Sequence, residues 1–183
     1  MFNSISKILA ALLAVMLLYL VPAMQQAQRQ EDISLLVAYN SLTEFVDSVR
    51  NKGYISPVMY EDFRRSLGGA GEFYEVELEH RHKTYHPEYV DPADKTTFQQ
   101  NYSIHYESHY TDELERTIFP ENALSREDLR RKYKMEAGDY FTVSIHRKGL
   151  SPLTVLTNFL YNSAQGAEAG PLHYGGMVLN EDY

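Results

Sequence analysis

ILAALLAVMLLYLV (residues 8–21) and EDISLLVAYNSLTEFVDSVRNK (31–52) are the two stretches that decide how this chain is built. The first is an unbroken apolar run with Lys7 the only charge before it. The second places Leu35, Ala38, Tyr39, Leu42, Phe45, Val46 and Val49 at three- and four-residue spacing, the period of one helix face. Glu31 and Asp32 near its start and Arg50 and Lys52 near its end complement the helix dipole, and Gly53 supplies a left-handed stop. Pro22 and the joint MQQAQRQ (24–30) lie between the two stretches, and most of those residues are good helix formers. One helix running through both, kinked at Pro22, is the expectation.

The apolar run alone measures about 21 Å, short of the roughly 20 residues that a full crossing needs. Pro22, Ala23, Met24 and the mild residues from Phe2 bring it near that length. A retained anchor with its amino end in the cytoplasm is expected from the position of Lys7. A cleaved secretory signal ending near Val21-Pro22-Ala23 is the competing reading; a proline at that junction and the lack of a clear A-x-A fit it poorly. Residues 1–23 are thus expected to be a membrane anchor or signal segment, 24–53 an amphipathic helix, and 54–183 an extracytoplasmic domain. The formal charge of −8 becomes −9 once Lys7 is set aside. That argues against nucleic acid or anionic lipid as the main partner. With no cysteine in the sequence, a disulfide framework and any cysteine-based site are excluded.

Beyond Gly53 the pattern alternates between short helices and strands. Ser56-Pro57 opens a helix with Met59, Tyr60, Phe63 and Leu67 on one face, ended by Gly68-Gly69. Strands are expected over 73–86, 100–110 and 139–147, separated first by a loop from Pro87 to Pro92. Thr111 is expected to cap a short helix through Phe119, and Ser125 to open another reaching Tyr133. Ser151-Pro152 opens a helix with Leu153, Leu156 and Leu160 inward, and a last strand follows a Gly175-Gly176 turn. The fold class is α+β: a long amino-terminal helix packed on a small antiparallel sheet with short helices between strands.

Little in the sequence points to chemistry. His105, Glu107 and His109 share one strand face and are weak candidates for zinc ligands. A second polar cluster contains His80, His82 and His86; His80 and His82 fall on the same face as Val76 and Leu78 and could extend its buried side, but a charged, partly solvated strand end is the expectation. No G-x-S-x-G elbow, Walker lysine or G-x-G-x-x-G spacing occurs, and the adjacent acid pairs sit where solvation explains them. No catalytic residue, resident metal or cofactor is expected. The better candidates are Ile33, Leu35, Leu36, Val37 and Leu42, as a surface for packing against the same helix of neighbouring subunits.

With FVDSVRNKGYISPVMYEDF (45–63), GEFYEVELEH, GDYFTVSI and the terminal YGGMVLNEDY, the chain resembles type IV pilin-like proteins. More closely it resembles the TadE-like minor components of tight-adherence (Flp-type) pilus systems in Gram-positive anaerobes. The resemblance implies a non-enzymatic, membrane-anchored accessory subunit of a surface pilus or secretion apparatus, with other pilin-like subunits as partners. Residues 8–21 lack the glutamate that pilins carry in their apolar stretch, which implies an accessory rather than a major subunit. The alternative expectation is a secreted or tethered module that recognises a peptide or glycan through its tyrosines.

Overall fold

The computed structural model describes residues 2–69, 73–121, 125–162 and 170–181. The fold is α+β, as the patterning predicts. Helix α1 (Phe2–Lys52) runs without interruption through Pro22 and the Gln-rich joint. It is followed by β1 (Tyr54–Ile55), α2 (Pro57–Gly69), β2 (Phe73–Tyr89) and β3 (Phe98–Tyr110). Then come α3 (Thr111–Ile118), β4 (Tyr133–Lys134), β5 (Tyr140–Lys148), α4 (Pro152–Tyr161) and β6 (Leu172–Met177). The main sheet is antiparallel in the order β3-β2-β5-β6, and β1 with β4 forms a separate two-stranded ladder.

The core lies between the upper half of α1 and the inner face of this sheet. Ala38, Leu42, Phe45, Val46 and Val49 recur at helical spacing and are all buried. They meet Leu78 of β2, Phe141, Val143 and Ile145 of β5, and Tyr60, Phe63 and Leu67 of α2. Phe45 stacks on Phe63 with ring centroids 4.4 Å apart and meets Phe141 edge-on. Leu42, expected above as a subunit contact, therefore belongs to the domain's own core: none of it is exposed. The apolar stripe changes partner along its length, and Leu42 falls on the inner side of that change.

The carboxyl end of α1 is closed by the last described residues. A helix leaves its final carbonyls unpaired, and here Arg50 O accepts from Leu179 N (2.9 Å) and Asn180 N (3.1 Å) while Asn51 O accepts from Glu181 N (2.8 Å). Gly53, at φ +68°, turns the chain out of the helix. The guanidinium of Arg50 donates to Met177 O and to Asp47, fixing β6 against the helix.

Four local expectations are corrected. Gly175-Gly176 is not a turn but lies inside β6; a Cβ at Gly175 would collide with Thr142 Oγ1 and stand 2.7 Å from Phe141 O. Its small size serves close strand packing. Thr111 is not a helix cap: the N-cap is Tyr110, and Thr111 Oγ1 accepts the Leu78 N–H at the point where β3 stops pairing with β2. The helix expected from Ser125 to Tyr133 is a single 3₁₀ turn, Leu129–Arg131, initiated by Asp128. Burial of Met135 and pairing of β4 with β1 draw the chain into extended form there. Finally, β2 continues through Pro87 to Tyr89, because beyond Arg81 it has a neighbour on only one side and a missing N–H is tolerated. The helix from Ser151 is as expected, with Ser151 Oγ accepting from Thr154 N at 3.0 Å.

Truncating Leu42 to alanine leaves a void at the centre of this core. It is expected to cost roughly 2–5 kcal/mol in urea unfolding of the full chain. A loss below about 1 kcal/mol, the range of ordinary surface changes, would contradict this placement.

Candidate functional site

Two regions concentrate the features that bear on function: the exposed part of α1 and a polar network on the inner face of β2. Among the described residues, α1 is the helix long and apolar enough to cross a membrane, and its most apolar window is not buried against the protein. Between that window and the core, the helix presents two apolar strips. Ile33 (57% exposed) and Leu36 (60%) lie on the exposed side of the helix, opposite the buried row Ser34, Ala38 and Leu42, with Leu36 at the rim of the domain. Leu35 with Asp32, Leu36, Tyr39 and Leu172 lines a shallow hollow between α1 and the start of β6. Val37 is also exposed. Of the five expected packing residues, four thus remain on the surface and Leu42 does not.

This segment is tied to the domain by the contacts of Glu31 and Tyr39. Arg147, at the end of β5 and with its side chain 8% exposed, donates to Glu31 Oε1 at 2.9 Å. Ser151 Oγ donates to the other oxygen of the same carboxylate at 3.2 Å. Tyr39 packs edge-on against Tyr174 of β6. The lower end of the sheet is therefore fixed to α1 at Glu31, about 10 Å below the level of Ala38 along the helix axis.

The second region centres on Asp139, which precedes β5 and is 2% exposed. Its carboxylate accepts from His80 Nε2 (2.9 Å), His82 Nδ1 (3.0 Å) and the backbone N–H groups of Lys83 (3.0 Å) and Glu136 (2.8 Å). With His80 Nε2–H donating to the carboxylate, its Nδ1 accepts the Tyr133 O–H at 2.8 Å. His109, opposite His80 in the ladder, stacks on its ring at 5.5 Å and bonds Glu113. Local sequence explains the placement. His80 and His82 continue the inner alternation of Val76 and Leu78, and a tight turn at Gly138 (φ +98°) delivers Asp139 beneath them. The side chain of Asp139 substitutes for the β5 partner that Lys83 lacks, because the ladder stops at Arg81 and Tyr140, the first residue of β5.

The electrostatics follow from burial. It pushes the His80 imidazole below its usual value, and the bond to Asp139 opposes this without reversing it. Burial also pushes the Asp139 carboxyl up, but the Lys83 and Glu136 N–H groups and the two imidazoles outweigh it, leaving it below the usual range. Tyr133 is pushed up to about 12 by burial and by the negative charges of Glu113, Asp139 and Glu107. A phenol held protonated in this way is the opposite of an activated nucleophile or base. The Tyr–His–Asp sequence of bonds clamps β2, β4 and the turn before β5 together.

The expected ligand trio does not converge. His105 sits edge-on to His86, His109 is engaged by Glu113, and Glu107 lies across from His82. Among the described residues, the cluster of His, Asp or Glu with donor atoms close enough for one ion is His80, His82 and Asp139, within 4.8 Å of one another. By donor type this set suits a zinc-like ion, but its ligand atoms already satisfy each other. The alternation of β2 places both histidines on its inner face, but the expectation of a partly solvated strand end holds only for His82: His80 is buried. Asp139, 59 residues from His80 in sequence, carried no signal that joined it to them.

Compared with models of known families, with characterised proteins and with solved structures, the chain matches none.

The pH response of the clamp has one sign. His80 is held neutral in the fold, so protonation below the ordinary imidazole value of about 6.5 favours the unfolded chain. The contribution of Asp139 is present above about 3.9 and is lost as the pH falls through its lowered folded value. Melting temperature should therefore hold steady from pH 8 to 7 and fall as the pH drops below about 6.5. Each proton contributes a slope of up to ~1.4 kcal/mol per pH unit. His80→Gln should lower the plateau and flatten the step between pH 7 and 5. A wild-type curve that is level down to pH 5 would contradict the assignment.

Proposed function

We propose that this chain is a non-enzymatic, single-pass membrane subunit of a surface pilus or secretion assembly. In this reading α1 is the anchor, its amino end is cytoplasmic, and the α+β domain is extracytoplasmic. The observation that carries the proposal is the band of Ile33 and Leu36 on α1. It lies above the apolar run, is exposed although Leu36 borders the hollow beside Leu172, and sits just above the Glu31–Arg147 pair that ties the helix to the sheet. Water would oppose a free band of this kind. A neighbouring apolar helix would cover it, as helices pack in coiled coils. The resemblance to pilin-like accessory proteins supports the same role.

A second reading, a tethered module for a peptide or glycan, is favoured by the outer face of the sheet. Tyr85, Tyr102, Tyr106 and Tyr140 are exposed there, with Arg81 over the Tyr140 ring and Lys83 over that of Tyr85. The two readings separate on one substitution. Leu36→Glu alters an exposed position and is expected to leave the circular dichroism spectrum and melting temperature unchanged. It should abolish co-purification of partner subunits from detergent-solubilised membranes. Retention of the same partners by a folded Leu36→Glu protein would remove the assembly reading and leave the tyrosine face as the functional surface.

A further inference from the structure

Helix α4 reads PLTVLTNFLY and has no charged residue. Leu153, Leu156 and Leu160 are half-buried, while Val155, Phe159 (79% exposed) and Tyr161 lie on the outside. A surface helix in water carries polar residues on its outer face; one that is apolar on both faces is covered by something else.

Its position indicates by what. The N-cap Ser151 bonds Glu31 of α1, and α4 packs on α1. The buried row of α1 does not stop at Glu31 but continues downward as half-buried Ala27, Met24, Ala23 and Leu20. Ten residues of helix measure about 15 Å, the rise along α1 from Glu31 to Val21. Helix α4 thus descends antiparallel to α1, from the base of the sheet toward the apolar run. From Lys7 to Arg29 the chain carries no intervening charge. Counting about 20 residues up from Lys7 puts the domain-side edge of a hydrocarbon layer at the level along which α4 lies. Leu150, two residues before α4, is also exposed.

We propose that α4 is a second membrane contact: an interfacial helix seated at the headgroup–acyl boundary beside α1, with Val155, Phe159 and Tyr161 against lipid. The proposal rests on the reading of α1 as a membrane anchor. Together the two helices fix the tilt of the domain on the bilayer, since a single helix would leave it free to rotate. The occupant is lipid rather than protein because the face is continuous with the span itself, and the acidic chain suits a zwitterionic surface.

The absence of tryptophan from the sequence makes the test direct. Three variants of the full chain, Phe159→Trp, Leu13→Trp and Val90→Trp, would each carry one tryptophan. They would be reconstituted in phosphatidylcholine vesicles with brominated acyl chains, and folding checked by circular dichroism. Val90 is exposed just past the far end of β2, roughly 55 Å along the strand from Phe73. The expected result is blue-shifted emission from the Phe159→Trp protein, quenched about twofold or more, as a helix buried several ångströms into the boundary requires. The Leu13→Trp protein should be quenched as well, and the Val90→Trp protein not. If Phe159→Trp behaves as Val90→Trp while Leu13→Trp is quenched, the α4 proposal is overturned and the anchor reading stands. If Leu13→Trp too is unquenched, the anchor reading fails and takes the proposal with it. Blue-shifted but bromine-insensitive emission from Phe159→Trp would mean a protein neighbour and would equally overturn the proposal. Val155→Trp provides the same readout should Phe159→Trp not fold.

Discussion

The constraint on which the rest of the structure depends is that one helix both covers the sheet and carries an exposed run apolar enough to cross a membrane. Residues 38–49 of α1 cannot leave the domain, because Leu42, Phe45, Val46 and Val49 are the apolar half against which the sheet and α2 close. A four-stranded sheet with one apolar face needs such a cover. The lower half of the same helix offers no polar face at all between Ile8 and Val21. The helix axis transmits any placement of one half to the other. The Glu31–Arg147–Ser151 contacts and the carbonyl caps from Leu179, Asn180 and Glu181 then fix the domain at both ends of its contact with α1.

Much of this was legible in the sequence because it rests on periodicity. The 3.6-residue recurrence from Leu35 to Val49 and the alternation of Val76-Leu78 and Phe141-Val143-Ile145 depend only on residues close in the chain. The failures share a different cause. Gly175-Gly176 reads locally as a turn, yet the glycines answer to Thr142 and Arg50 across the fold. Thr111 reads as a cap, yet its hydroxyl is claimed by Leu78, 33 residues away. Leu42 reads as one more member of an apolar stripe. Only the packing of the sheet shows where along α1 the stripe turns from core to surface.

The candidate site divides in the same way. That His80 and His82 share the inner face follows from strand alternation; that His80 is buried there does not, since a strand end reads as solvated. That Asp139 closes on both of them follows from the turn before β5, which no local pattern marks. The outcome is a polar cluster that spends its hydrogen-bonding capacity internally. It holds a strand, a turn and Tyr133 together in a chain that has no disulfide to do so. The more exposed chemistry of this molecule is apolar: Ile33 and Leu36 on α1, and Phe159 on α4.

The central claim is that the lower half of α1 and the half in the core form one continuous rod. With no native cysteine, spin labels at Leu18→Cys and Asn40→Cys report on it alone in the bilayer-reconstituted chain. Both positions are exposed and they flank Pro22 and the Gln-rich joint. Double electron–electron resonance should give a narrow distribution centred near ~33 Å, the rise of about 22 helical residues. A broad distribution, or a centre well short of that value, would contradict a continuous rod and separate the anchor from the domain as two independent elements.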